Sequence, residues 1–169
     1  MFDCLDPNAW AYMGIAISLG FSIFGAAGGI LISGSSIIGS SIKTPRITSQ
    51  NLISVIFCEA IAIYGVIVAI LLQNKPPGWT YNKQAPGAAF DSQMFHEAKQ
   101  KAYAVFAAGI MAGFTNFACG VCVGIIGAGA ALTDAAKRGT FMKMLIVEIF
   151  GSALGLYGVI LAIITISNA

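Results

Sequence analysis

Charged residues are scarce in this sequence, and their scarcity excludes most soluble folds. Only 9% of the residues are charged, whereas a typical soluble domain carries roughly 25%. Because 57% of the residues are hydrophobic, the chain has too little polar surface to cover itself in water. The 9 basic and 7 acidic side chains are also too few and too scattered for a nucleic-acid interface. The partner that this composition predicts is lipid.

The chain has one histidine and four cysteines, and their placement argues against metal or redox chemistry. The one histidine, His96, lies in a hydrophilic stretch, where a solvated imidazole is the simplest interpretation. Cys119 and Cys122 have C-x-x-C spacing, but they lie in an apolar run without a neighbouring histidine, so we expect them to pack between helices. The glycines from Gly124 to Gly129 resemble a dinucleotide fingerprint but follow no strand. We expect no cofactor, metal or nucleotide site.

Long apolar runs, by contrast, fill most of the chain. They extend over residues 9–42, 52–72, 102–133 and 144–167. Each is long enough for the roughly 20 residues with which a helix crosses a bilayer. The first run exceeds a signal peptide in length and lacks a basic segment before it, so we expect it to remain as a span. The sequence therefore predicts an all-α membrane protein with four transmembrane helices.

Short polar connections pair these helices. Residues 39–50 and 134–143 read as turns, which gives hairpins over residues 9–72 and 102–167 within a single membrane domain. A proline-containing link, residues 73–101, joins the hairpins. The two turns hold five of the nine basic residues, so the positive-inside tendency predicts that the turns are cytosolic and the link lumenal.

The two hairpins are copies of one sequence. An ungapped offset of 93 residues pairs identical residues in both helices of each hairpin. The pairs include Gly20 with Gly113, Phe24 with Phe117, Leu52 with Leu145, Phe57 with Phe150, Tyr64 with Tyr157 and Gly65 with Gly158. Both copies cross the membrane in the same direction, so the duplication is parallel rather than inverted.

Glycines are abundant in the first and third helices. Gly25 and Gly29 on the first, and Gly120 and Gly124 on the third, have the small-xxx-small spacing that lets helix backbones approach closely in lipid. We expect these four residues to lie at helix–helix contacts.

Two carboxylic acids lie inside the spans. Glu59 and Glu148 are the only charged residues of the second and fourth apolar runs. An ionised acid at the centre of a membrane helix costs about 2.5 to 3.5 kcal/mol, so such residues usually mark proton or ion pathways. A structural acid, hydrogen-bonded to a neighbouring helix, is the alternative for each of them.

The repeat distinguishes the two acids. Glu59 lies five residues before Tyr64, whereas the residue five before Tyr157 is Ser152. Glu148 lies one turn earlier than Ser152, a shift of about 6 Å along the helix and about 40° around it. We therefore expect the carboxyls to share a face and a similar burial but not a depth.

These features together resemble a known family. The Glu-bearing duplicated hairpins, the repeated Tyr-Gly-Val-Ile, and the strings from Ser33 to Gly39 and from Leu52 to Glu59 are similar to V-type ATPase proteolipids, and within them to the c-double-prime type. The resemblance extends from about Trp10 to Ile166. Members of that type often carry a further N-terminal span.

The resemblance implies a function and a set of partners. The chain would lie in a ring of c-type proteolipids that turns against a stationary subunit bearing an essential arginine, while a separate sector hydrolyses ATP, so the chain itself is no enzyme. Helices 1 and 3 would face the ring interior, because their small residues permit tight curvature, and helices 2 and 4 would lie outside. Glu59 would carry the proton, with Tyr157, Ser152 and Glu148 as possible supporting residues.

The resemblance also implies an ion, a location and contacts at the cytosolic end. Sodium-pumping relatives place Thr and Gln where this sequence has Ala153 and Leu154, and hard cations need several oxygen ligands, so we expect protons. The membranes implied are those of acidic organelles. Lys43, Arg46, Lys137 and Arg138 would face the subunit that connects the ring to the rotor stalk, or would serve only to orient the chain.

Two other classes of protein stay open. A pore-forming or scaffold proteolipid would use the repeat only to oligomerise, and a secondary transporter could use one carboxylate in each half. Neither explains the spacing between Glu59 and Tyr64.

Overall fold

Four long helices form the chain in the computed structural model, which describes residues 6–47, 49–74 and 92–167. They are α1 (Pro7–Lys43), α2 (Leu52–Gln73), α3 (Ser92–Ala136) and α4 (Phe141–Ser167), with a 3₁₀ turn at Pro45–Ile47. All four are long and apolar enough to cross a membrane. The prediction of an all-α protein with four membrane-spanning helices is confirmed.

The ends of the helices follow local chemistry. Pro7 occupies the first turn of α1, where its missing N–H costs nothing. Gly139 follows α3 with φ +85°, a left-handed conformation that glycine adopts without strain, and this turns the chain into α4. Its backbone N–H donates to Asp134 Oδ1 at 3.2 Å, which stabilises the turn.

The innermost contact joins α1 to α3. A Cβ built on Gly25 would lie 2.6 Å from Phe117 Cα, and one built on Gly29 would lie 2.5 Å from the Gly120 carbonyl oxygen. Gly124 in turn approaches the backbone of Gly29. The four glycines singled out in the sequence thus lie where the two backbones touch, and a side chain at any of them would separate the helices.

The other two helices pack outside this pair. α2 lies mainly against α1 and α4 mainly against α3, while α2 and α4 contact each other less extensively. Large apolar side chains such as Ile56, Phe150 and Ile160 are exposed on the outer faces. Exposure of this kind fits a chain whose surroundings are lipid or other membrane helices.

The helix α3 begins earlier than the third apolar run. The run covers residues 102–133, but α3 starts at Ser92, so part of the expected link is helical. Residues 92–101 contain glutamine, glutamate, alanine and lysine, which favour helix but are too polar to count as a span. Pro76, Pro77 and Pro86 of the link fall outside the described residues.

Candidate functional site

Glu59 lies on the outer face of α2. Its side chain is exposed and shares that face with Ile56 and Ile63, which are 62% and 54% exposed. Among the described residues, no side chain hydrogen-bonds or pairs with its carboxyl. The face around it is otherwise apolar, so the acid projects from the chain into whatever covers the bundle.

Glu148 has the opposite environment. It is fully buried, and its Oε2 accepts a hydrogen bond of 2.9 Å from Ser54 Oγ on α2. Its Oε1 has no partner among the described residues and lies beside Gly127 of α3. Three helices therefore enclose this acid.

The expectation that the two carboxyls share a face and a similar burial is wrong. Glu148 lies on the side of α4 that α2 and α3 cover, whereas Glu59 lies on a side of α2 that none of the other described helices covers. The rotation of about 40° that separates Glu148 from Ser152 turns its side chain inward. Ser152, the residue equivalent to Glu59, is itself half-buried, because this side of α4 faces α2, whereas none of the described helices lies against the equivalent side of α2.

The sides on which α2 and α4 face each other are marked by two clefts. Ile53 lines one with Leu145, and Leu71 lines the other with Ile163. Successive residues of an α-helix are rotated by about 100° around its axis, so Glu59 is rotated about 120° from Ile53 and from Leu71 around α2. It therefore lies on the flank of α2 that faces away from α4.

Tyr157 and Ser152 lie on α4 without reaching Glu59. Tyr157 is 61% exposed and is rotated about 120° from Leu145 and from Ile163, on the flank of α4 that faces away from α2. Ser152 is half-buried, and its Oγ donates to the Ile149 carbonyl oxygen of its own helix at 2.9 Å. Within one chain, the structure brings Glu148 together with α2 but not Tyr157 or Ser152 with Glu59.

Sequence reasoning missed Ser54. Serines are common in this chain, and nothing in the sequence pairs Ser54 with a residue 94 positions away. A second buried bond of the same kind, from Asn116 Nδ2 to Ser22 Oγ at 2.9 Å, joins α3 to α1 and was also missed. Buried polar residues at helix contacts were a detectable signal, since each needs a partner.

The remaining sequence features have simple environments. Cys119 Sγ donates to the Gly151 carbonyl oxygen at 3.3 Å, a contact between α3 and α4. In the part of the chain that the structure describes, no three histidine, cysteine or acidic side chains cluster as metal ligands would. Lys137 and Arg138 are exposed at the α3–α4 turn, while the side chain of Arg46 lies outside the described part.

The two short turns lie side by side at one end of the bundle. Ser49 and Gln50 of the first turn and Asp134, Arg138 and Gly139 of the second line a common cavity. The basic residues of both turns are therefore gathered at the same membrane boundary.

Comparison with known proteins identifies the family to which this chain belongs. The family model for the C subunit of ATP synthase matches residues 13–72 and again residues 106–165, one match for each hairpin. The chain belongs to that family. The double match also agrees with the internal duplication in the sequence.

Within the family, the similar proteins are V-type ATPase proteolipids. The c''2 subunit of the V-type proton ATPase of Arabidopsis thaliana is 54% identical over 98% of this chain and 88% of its own length. The c'' subunit of the Saccharomyces cerevisiae enzyme is 46% identical over 97% of this chain and 73% of its own length. The 16 kDa proteolipid of the Homo sapiens V-type proton ATPase, its c subunit, is 32% identical over 92% of this chain and 89% of its own. The resemblance to the c-double-prime type is confirmed.

Proposed function

We propose that this chain is a proton-carrying proteolipid in the membrane rotor ring of a V-type ATPase, with Glu59 as the carboxyl that takes up and releases the proton. The observation that carries the proposal is an exposed acid in the middle of an otherwise apolar face, on a chain similar over nearly its whole length to proteins named for proton ATPase function. The chain contributes no ATP hydrolysis of its own.

The exposure of Glu59 suits a carrier better than burial would. A proton site in a rotating ring must meet a stationary partner, so its side chain has to lie on the outer surface of the ring. While the carboxyl faces lipid during rotation, it stays in the neutral, protonated form, because an ionised acid is costly there. Opposite an arginine of a stationary subunit the carboxylate is stabilised as an ion, and the proton is exchanged.

The energetic task of the carrier is modest for each proton. Moving one charge against the membrane potential costs about 2.3 kcal/mol per 100 mV. Moving it against a pH gradient costs about 1.36 kcal/mol per pH unit. Rotation driven by ATP hydrolysis elsewhere in the complex would supply this free energy.

A neighbouring proteolipid completes the site around Glu59. Because Glu59 and Tyr157 lie on opposite flanks of the outer helix pair, chains placed side by side in a ring bring the Glu59 flank of one against the Tyr157 flank of the next. A tyrosine at that flank can donate a hydrogen bond to the protonated acid. Ser152, which occupies the place of the acid in the second hairpin, is rotated about 140° from Tyr157 and lies on the side of α4 that faces α2, so it would take no part in this contact.

Protons rather than sodium fit the side chains near Tyr157. Ala153 and Leu154 offer no side-chain oxygen, and a hard cation needs several oxygen ligands. A carboxyl and a phenol are sufficient to hold a proton.

The basic turns suggest orientation and partners. We expect the end that carries Lys43, Lys137 and Arg138 to be cytosolic, next to the subunit that links the ring to the rotor stalk. The opposite end would face the lumen of an acidic organelle such as a vacuole, lysosome, endosome or Golgi compartment.

The test is proton transport by vesicles that contain the assembled ATPase with Glu59→Gln. Glutamine keeps the shape of the side chain but carries no exchangeable acid proton, so we expect assembled complexes without ATP-driven acidification. Glu148→Gln is the matched control and should retain most of the transport. Normal acidification by the Glu59→Gln complex would favour a scaffold role for the chain, and transport without ATPase partners would favour a secondary transporter.

A further inference from the structure

Glu148 is a fully buried acid that the proposed proton pathway does not use. It lies on α4 and accepts a hydrogen bond from Ser54 on α2, so it joins the two hairpins of the chain. Within the described helices, this is the one side-chain hydrogen bond between α2 and α4. Burying a carboxyl in a membrane bundle is costly, which calls for a specific role.

The contacts of α2 are uneven. Toward α1 its backbone is held closely, since Gly65 meets Ser22 and a Cβ on Gly29 would lie 2.8 Å from Cys58 Sγ. Toward α4 the contact is less extensive, and it includes an apolar cluster that Val68 and Leu72 share with Val159, Ala162 and Ile166. Apolar contacts have little directional preference, whereas a hydrogen bond fixes the distance and angle between its two groups.

The Ser54–Glu148 bond is held in a confined place. A Cβ built on Gly127 would lie 2.7 Å from Ser54 Cβ and 3.4 Å from Glu148 Oε1, so α3 closes over the pair. The two groups cannot slide past each other without moving α3. The bond therefore sets both the height and the rotation of α2 relative to α4.

Ser54 is close to Glu59 along the same helix. Five residues separate them, which corresponds to about 7.5 Å of rise along a rigid helix. We propose that Glu148 is a positioning residue, whose bond to Ser54 sets the depth and direction of the Glu59 carboxyl in the ring. This inference rests on the proposed function of Glu59.

The test compares three variants of this chain in the assembled ATPase. Ser54→Ala removes the donor and leaves Glu148 buried without a partner. The double variant Ser54→Ala/Glu148→Leu replaces both groups by apolar ones, which removes the cost of an unpaired acid without restoring the bond. Glu148→Gln keeps the acceptor oxygen and the shape. Ser41→Ala is the matched control, because this hydroxyl donates to the Ile38 carbonyl oxygen of its own helix at 2.8 Å.

Two quantities separate positioning from stability. The first is proton transport divided by the amount of assembled complex, which we expect to fall about three- to tenfold in Ser54→Ala, the range set by one interhelical hydrogen bond. The double variant should assemble well and still transport slowly, whereas Glu148→Gln should retain most of the transport and Ser41→Ala should transport normally. The second is the rate at which a carbodiimide modifies Glu59 at a fixed pH. It should change about threefold in both variants that lack the bond and stay unchanged in Glu148→Gln.

The opposing outcomes are distinct. Normal transport per assembled complex in the double variant would overturn the positioning role and leave Glu148 a stability device. Ser54→Ala and the double variant could both fail to assemble. In that case Ser54→Cys, which keeps the volume but weakens the donor, is used, and its proton transport per assembled complex decides. Glu59→Gln is measured in parallel, and acidification by that complex would overturn the proposed function. If the Glu59→Gln complex transports no protons and the double variant transports normally, only this inference is overturned.

Discussion

Glu59 and Tyr157 lie on opposite flanks of the outer helix pair, each rotated about 120° from the side on which α2 and α4 meet. Neither residue can reach the other within one chain. A site that used both residues would therefore span two neighbouring proteolipids.

Cysteine cross-linking tests whether Glu59 and Tyr157 lie on opposite flanks of α2 and α4. Val66 lies two turns after Glu59 on the same face, and we expect Val66→Cys with Tyr157→Cys to form no disulfide within a chain whose native cysteines have been replaced. The matched pair Leu71→Cys with Ile163→Cys lines one cleft and should form an intrachain disulfide. Mass shifts after oxidation report both. Equal intrachain yields for the two pairs would contradict the assignment of flanks.

Carbodiimide labelling distinguishes the two acids by access. The reagent attacks protonated carboxyls in apolar surroundings, and the exposed Glu59 should react well before the enclosed Glu148. Peptide mass spectrometry over a time course gives the order. Faster modification of Glu148 in the assembled complex would mean that the bundle opens at α4 and would remove the basis for choosing Glu59.

Adjacent glycines on α1 test the contact with α3. Gly29→Ala places a methyl group against the Gly120 carbonyl, and overpacking of this kind costs roughly 1 to 3 kcal/mol. Gly28→Ala is the matched control, because nothing lies within 4 Å of its Cβ position. We expect a lower thermal denaturation temperature of the purified complex for Gly29→Ala only. Equal temperatures for the two variants would show that α1 and α3 separate without cost.

Neutralising the basic turns tests the proposed cytosolic contact. Replacing Lys43, Arg46, Lys137 and Arg138 by glutamine should reduce the amount of rotor stalk that co-purifies with the ring. Lys101→Gln is the control, since Lys101 is exposed at the opposite end of the bundle. Unchanged co-purification would leave these charges with the role of orienting the chain in the membrane.

Much of the fold was predictable because it depends on local composition. The lengths of the apolar runs gave the four spans, and the glycine spacing gave the contact of α1 with α3, since only small residues permit backbones to touch. The start of α3 was missed because hydropathy detects the part of a helix that lies in lipid and not the polar turns that precede it.

The site was predictable only in part. The repeat separated Glu59 from Glu148, but it could not give the burial of Glu148, because that depends on which side of α4 faces α2. Ser54 was missed for the same reason. Both depend on packing between segments distant in sequence, which the repeat does not encode.

The enclosure of Glu148 affects how many protons the proposed rotor would carry for each ATP. Of the two carboxyls inside the apolar runs only Glu59 is exposed, so each revolution would carry one proton for every four helices rather than one for every two. The free energy of one ATP would then be divided among fewer protons. Since each proton consumes about 1.36 kcal/mol per pH unit, a ring with fewer working acids can sustain a steeper gradient. A duplicated chain with one of its two membrane acids buried would carry fewer protons per ATP and sustain a larger pH difference.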